Sequence, residues 1–485
     1  ELIMNTLYWH DYETSGTDPR YDRPLQFAGI RTDEDLNIIG EPLMIYCKPA
    51  NDFLPHPQAS LITGITPQKA EKEGLTEAEF MARIHAELAE PGTCGVGYNS
   101  LRFDDEFTRF SLFRNFYDAY AREWQNGNSR WDIIDMVRLT RALRPEGINW
   151  PDREDGKPSF RLEHLTAANN IEQIGAHDAL VDVYATIEIA KLIKNAQPKL
   201  FDYVYQNRRK NAVAPLLNIR ERTPVIHVSR MYPSEYCGAA MVVPLAKDPT
   251  NPNGVIVYDC RYDPTDLIEL DAETLQQRLF TPSAELAIGV ERPALKTIHI
   301  NKCPVVVPVA TLNDAAAQRL HIDRAQHQKH MDMLNAAGDL TEKLSQIFSP
   351  KPFDPVSDPD ASLYSGGFFS DNDKRKMEII RSAEPDMLKT LSIPFEDPRL
   401  AEMLFRYRAR NWPESLSSDE QEQWLQYRQQ RLADDTASPI LNFSAFYAAL
   451  AEARQQDLSE KQQTVLTDLA HYSAQLAAEL GYQTT

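Results

Sequence analysis

The sequence predicts an α/β chain of three domains: strands and helices in residues 1–198, a mainly β segment in 199–350 and a helical segment in 351–485. Three observations lead there. Strand-like and helix-like hydrophobic patterns alternate through the N-terminal part. Short runs rich in Val and Ile, bounded by turn residues, dominate the middle. Beyond the proline-rich run at 349–359, segments of Gln, Glu, Ala and Leu carry helical patterning to about residue 480. At about 150 residues per domain, a chain of 485 residues also suggests three.

Taken in order, Leu7–Gly16 reads as a short strand ending in a turn, with Leu7, Tyr8 and Trp9 as its apolar floor. Phe27–Ile30, Ile38–Ile39 and Met44–Cys47 read as strand fragments of an antiparallel meander. Thr76–Leu88 has helical periodicity, its apolar positions falling at Ala78, Phe80, Met81, Ile84 and Leu88. Cys94–Tyr98 is a buried strand in pattern, and a helix is expected from Asp104, packing through Phe107, Phe110 and Leu112. Residues 145–159 carry Pro145, Gly147, Pro151, Gly156 and Pro158 and read as a loop. Phe160–Asn169 suggests a short helix. Gly175-Ala176-His177-Asp178 then opens a long helix running to about Lys194, with Asp178 as its N-cap. Pro198 marks a boundary. In the middle segment, strands are expected at Val225–Val228, Met241–Pro244, Val255–Tyr258, Thr297–Ile300 and Val305–Val309, with helices at Asp271–Leu279 and Arg324–Leu344.

Composition narrows the function classes. No apolar run approaches the ~20 residues that span a bilayer, so no membrane role is expected. The five cysteines form no CxxC pair, and residues 1–10 are not a basic-then-apolar leader; a reducing cytoplasm is the expected setting. The net charge of −20 argues against polyanion binding by the surface as a whole and leaves open a local basic groove.

The chemistry concentrates in three distant places. Asp11 and Glu13 are two apart, so on a strand both carboxylates point to one face. Adjacent anions repel, and a hard divalent cation relieves that repulsion. Asp104 follows the buried strand. His177 and Asp182 sit five apart where the long helix starts, Asp182 about one and a half turns in by the helical period.

This ordered set resembles the three motifs of the DEDDh exonuclease superfamily. The stretches HDYET, QFA, LITGIT, GYNSLRFDDE, SRWD, LRPEGINWP, SFRLEHLT, AHDALVDVYAT, HINKCP and FRYRARNWP extend the resemblance to the bacterial exonuclease I family, from near residue 10 to beyond 410. The resemblance implies an RNase H-like domain, a mixed sheet flanked by helices, followed by an SH3-like β domain and a C-terminal helical domain. It implies a processive, metal-dependent 3′→5′ exonuclease acting on single-stranded DNA in repair and recombination and releasing 5′-mononucleotides. Asp11, Glu13 and Asp182 would hold two Mg²⁺ ions, for which Mn²⁺ can substitute, Asp104 would complete the metal cluster, and His177 would be the general base. An imidazole of ordinary pKa about 6.5 has a neutral form available near pH 7.

Sequence-independent single-strand binding uses cations for phosphates and aromatic faces for bases. Residues 102–161 hold ten arginines interleaved with aromatics. The resemblance assigns Arg109, Tyr120, Trp124, Arg138, Phe160 and Arg161 to the DNA path, with Glu13 meeting the DNA strand at the cluster. In the second domain the stretch Arg208–Arg230, with six basic residues and the single acid Glu221, points to Lys210 as a phosphate contact, joined by Asn253 and Lys296. Counterion release would make that binding salt-sensitive. Family members also bind the C-terminal tail of single-stranded DNA-binding protein; Arg144 and Tyr203 match that contact region, whereas Thr223, Asn313 and Asn335 stand where the pattern has Lys or Arg. A monomer is sufficient for the expected activity. The rival readings are a 3′→5′ exoribonuclease that trims RNA ends and a noncatalytic single-strand-binding scaffold.

Overall fold

The structure is a computed structural model describing residues 2–173, 175, 177–350, 352, 354–434, 436 and 438–483. It divides into two compact units, one of residues 1–129, 174–184 and 354–485, the other of residues 130–173 and 185–353. The expected boundaries near 198 and 350 follow changes of sequence texture. Compactness instead groups the C-terminal helices with the N-terminal sheet.

The first unit is built on strands β1 (Thr6–Thr14), β2 (Pro24–Thr32), β3 (Ile38–Tyr46) and β4 (Thr93–Gly97) in the order β3-β2-β1-β4. β1 pairs antiparallel with β2 and parallel with β4, and β2 pairs antiparallel with β3, so the sheet is mixed. The meander fragments merge into two nine-residue strands. β1 carries Asp11 and Glu13 within the strand, as their two-residue spacing led one to expect. Cross-strand bonding to β2 carries the polar stretch along. The face bearing Tyr8 and Tyr12 packs with Phe27 and Ile45 against Phe80, Met81 and Ile84 of the Glu77–Leu88 helix. Thr76 caps that helix, its side chain accepting from Glu79 N.

Two apolar clusters and one ionic network tie the C-terminal segment to this sheet domain. Phe110, Phe113 and Phe116 pack with Met377, Ile380, Leu400 and Met403. Leu54 and Leu61 pack with Phe443, Phe446, Leu469 and Leu476. Between them, Asp52 is fully buried with Arg410 Nε at 2.8 Å and Arg23 Nη2 at 3.4 Å. Arg410 also reaches Asp360 at 2.7 Å, and Arg406 reaches it at 3.0 Å. Burial alone would raise the Asp52 carboxyl, but Arg410 and Arg23 overcome it and hold the group well below the usual carboxylate range. Removing the charge strands buried guanidinium groups. Asp52→Asn is therefore expected to destabilise this unit by about 3–5 kcal/mol, read as a lower urea midpoint; an unchanged midpoint would show the network to be energetically neutral.

Strand β5 (Ser129–Asp132) straddles the division between the units. The second unit holds an antiparallel sheet of β6 (Val225–Val228), β7 (Ala239–Lys247), β8 (Gly254–Asp259), β9 (Leu295–His299) and β10 (Val305–Pro308), in the order β10-β6-β7-β8-β9. Val225, Val242, Val257, Ile298 and Val306 form its core with Val213 and Leu217. The expected helix Arg324–Leu344 is two helices, Arg324–Ala336 and Thr341–Ile347. Gly338, at φ 75°, breaks it, because the left-handed conformation ends the helix at no steric cost to glycine. The loop at 145–159 contains no helix or strand, and the helix after it spans Leu162–Ala168.

Candidate active site

Three segments of the first unit converge at the end of β1. The first is β1 itself, where Asp11 is half-buried and Glu13 is 8% exposed, both on one face by the two-residue period. The second is the helix Asp104–Arg114, which starts on Asp104. Pairing of β1 with β4 ends at Trp9 opposite Val96, and beyond that point Tyr12 N donates to Asp104 Oδ1 at 3.0 Å. The third is the helix Ala179–Ala196, whose first turn carries Asp182.

The start of that helix differs from the expectation in one respect. Ala176 lies outside the described residues, and His177 precedes the helix in a turn with φ 70°, so Asp182 is about one turn in rather than one and a half. Asp178 is the cap: its Oδ1 accepts from Leu180 N at 3.1 Å and from Val181 N at 3.4 Å. The backbone N–H of His177 donates to Asp182 Oδ2 at 3.3 Å, while the residue itself is exposed.

Asp11, Glu13 and Asp182 each offer a carboxylate oxygen, and these oxygens lie within 4.8 Å of one another. Asp104 is outside that trio, and its charge acts on Asp11 from the start of its own helix. Burial, then the charges of Asp104, Glu13 and Asp182, holds the Asp11 carboxyl well above the carboxylate range. Burial, then Asp182 and Asp104, pushes Glu13 up to about 9. Asp104 is raised to about 6, chiefly by burial. A cluster of acids that resist ionisation fits a hard divalent cation, whose charge offsets both the burial and the mutual repulsion.

The expected strand-binding residues fall in both units. In the first, Arg109 is held by Glu123 in a two-pronged ion pair at 2.7 and 2.8 Å and lies over the Tyr120 ring at 4.9 Å; Trp124 is 66% exposed. In the second, Arg138 bonds Asp135 at 2.7 Å and lies over Phe160 at 5.6 Å, while Arg161 and Lys210 are exposed. Asn253 keeps its Oδ1 buried and, among the described residues, without a hydrogen-bond partner. Lys296 Nζ is 2.9 Å from His227 Nε2, and His227 Nδ1 is 2.9 Å from the Val305 carbonyl. That carbonyl can only accept, so Nδ1 carries the hydrogen and donates to it, and Nε2 accepts from the lysine. Burial and then the lysine hold His227 well below its usual pKa.

Arg144 and Tyr203 are both half-buried in the second unit. Asn313 caps the helix Asp314–Arg319, its Oδ1 accepting from Ala316 N at 2.8 Å; Thr223 and Asn335 are exposed. Sequence reasoning assigned no chemistry to Gln26, which bonds the start of the Asp182 helix. The available signal was a polar residue inside the apolar strand PLQFAGI, opposite Glu13.

Known proteins resemble this chain along most of its length. Residues 8–190 match the family model described as Exonuclease, residues 208–350 the Exonuclease I SH3-like domain, and residues 357–476 the Exonuclease I C-terminal domain. Exodeoxyribonuclease I of Escherichia coli (strain K12) is 50% identical over 428 residues, covering 88% of this chain and 90% of that protein. A moderately thermophilic exonuclease I from Methylocaldum szegediense superposes with a TM-score of 0.92 at 51% identity, covering 97% of this chain and 99% of its own. The zinc-bound form of the E. coli exonuclease I complex with single-stranded DNA superposes with a TM-score of 0.93 at 45% identity, covering 98% of this chain and all of that one.

Proposed function

The chain belongs to the bacterial exonuclease I family of the DEDDh superfamily, and we propose that it degrades single-stranded DNA processively from the 3′ end to 5′-mononucleotides, in DNA repair. The observation that carries this reading is the gathering of Asp11, Glu13 and Asp182 within 4.8 Å, from opposite ends of a long stretch of chain. Asp11, Glu13 and Asp182 would hold divalent cations, Mg²⁺ by preference. Bound there, the cations would neutralise phosphate charge and ease formation of the attacking hydroxide.

The chain's own groups do the rest. Asp104 completes the acidic cluster and fixes the strand through the Tyr12 amide. The exposed His177 imidazole accepts the proton of the attacking water, with its backbone tied to Asp182. Trp124 offers an exposed face for a base, and Arg161 and Lys210 offer cations for phosphates. The tail of single-stranded DNA-binding protein is a further proposed partner, supported by Arg144 and Tyr203.

A time course on 5′-labelled single-stranded DNA, with Mg²⁺ or with EDTA, tests the polarity and the metal requirement together. With substrate in excess, the label is expected to pass from the full-length strand to a short 5′-terminal product with few intermediates in Mg²⁺ and to stay at full length in EDTA, with an RNA of the same sequence cut more slowly. Release of labelled mononucleotide at the outset, or cutting in EDTA, overturns the reading. Faster loss of the RNA favours the exoribonuclease alternative.

A further inference from the structure

We infer that Gln26 is a positioning residue that locks the Asp182 helix to the Glu13 strand and thereby sets the spacing of the carboxylates. The inference rests on the metal-dependent reading above. Gln26 lies on β2 directly opposite Glu13 and is 1% exposed. Its Oε1 accepts from Ala179 N at 3.3 Å, and its Nε2 donates to Asp178 Oδ2 at 3.5 Å. The amide orientation follows from chemistry: a backbone N–H can only donate, so the oxygen faces it, and the NH₂ group is left for the carboxylate. Nε2 also reaches Tyr46 Oη at 3.4 Å, on the neighbouring β3.

The first N–H groups of a helix have no partner within it. Here Gln26 takes the first, at Ala179, and Asp178 takes those of Leu180 and Val181. Asp178 is in turn held by Gln26. A single side chain thus joins the strand that pairs with Glu13 to both the cap and the first residue of the helix that carries Asp182. A metal-binding constellation tolerates displacements of only about 0.5 Å. Loss of this link would let the helix start drift relative to β1 while leaving the apolar core intact.

The test uses Gln26→Leu, Gln26→Glu, Asp178→Asn and the Gln26→Glu/Asp178→Asn double variant of the full chain. The readouts are Mn²⁺ binding by calorimetry, kcat and KM on a single-stranded oligonucleotide, and the melting temperature without metal. Gln26→Leu is expected to lower kcat by about 10–100-fold and to weaken Mn²⁺ binding, with KM little changed and metal-free melting lowered modestly by the unpartnered Ala179 N–H. Gln26→Glu sets two carboxylates against each other and should also lose activity. The double variant restores a donor and an acceptor with exchanged polarity. Its side-chain amide at position 178 donates to the carboxylate at position 26 while its amide oxygen still caps the helix, so most of the loss should be recovered. Wild-type kcat and Mn²⁺ affinity in Gln26→Leu, or a double variant no better than Gln26→Glu, overturn the inference while leaving the enzyme reading intact. A wild-type chain that binds no Mn²⁺ overturns both.

Discussion

His177→Ala loses most of its turnover, about 10²–10⁴-fold, and keeps its affinity for Mn²⁺ and for single-stranded DNA. The size follows from what positioned proton transfer contributes to a hydrolytic step. The selectivity follows from geometry. The only bond from His177 to the acid cluster among the described residues runs from its backbone N–H to Asp182, and alanine retains that N–H. The imidazole is exposed, so its removal leaves no buried cavity behind. Single-turnover cleavage alongside Mn²⁺ calorimetry separates the two effects. Wild-type cleavage by the variant would remove the general-base assignment, and a parallel loss of Mn²⁺ affinity would make His177 a structural neighbour of the metal site instead.

Asp11→Ala has the opposite signature: Mn²⁺ binding weakens, and turnover is lost with it. Asp11 is one of three carboxylates whose oxygens fall within 4.8 Å, so its removal takes away a third of the donor set. A pH dependence accompanies it. Glu13 is raised from 4.5 to about 9 in the folded chain. Between those values the folded metal-free chain holds a proton that the unfolded chain has released. Its contribution to stability is therefore present at low pH and falls as pH rises through the window. A cation that binds the ionised carboxylates reverses this loss, and at a free concentration a hundred times Kd it adds about 2.7 kcal/mol. The gap in melting temperature between Mn²⁺ and EDTA should widen from about pH 6 to about pH 9 in the wild-type chain, and should shrink at every pH in Asp11→Ala. A gap independent of pH would show that the cluster ionises without the ion.

The acids and the histidine could be singled out from their ordered spacing and the family resemblance it carries: Asp-x-Glu with strand periodicity, an acid after a buried strand, and His and Asp five apart around a helix start. The fold brings Asp11, Glu13 and Asp182 together. The N-cap at Asp178 was legible as well, since capping is decided within three residues. The parallel pairing of β1 with β4 was not, because it is a contact between distant segments that neither local pattern specifies. The fate of Arg109 was not visible either. Ten arginines in one stretch suggested a phosphate path, yet this one is held by Glu123, a partner that no local pattern singles out.

By itself the sequence determined the kinds of element, the acidic and imidazole inventory, and the family to which the chain belongs, because hydrophobic period and residue chemistry are local properties. Only the tertiary structure decided that the C-terminal helices share a unit with the strand that carries Asp11 and Glu13, through Asp52, Asp360 and their arginines, and that Gln26 bonds the start of the Asp182 helix. Both depend on which buried polar groups find partners once distant segments pack, and that choice is made by the free-energy cost of leaving any of them without one.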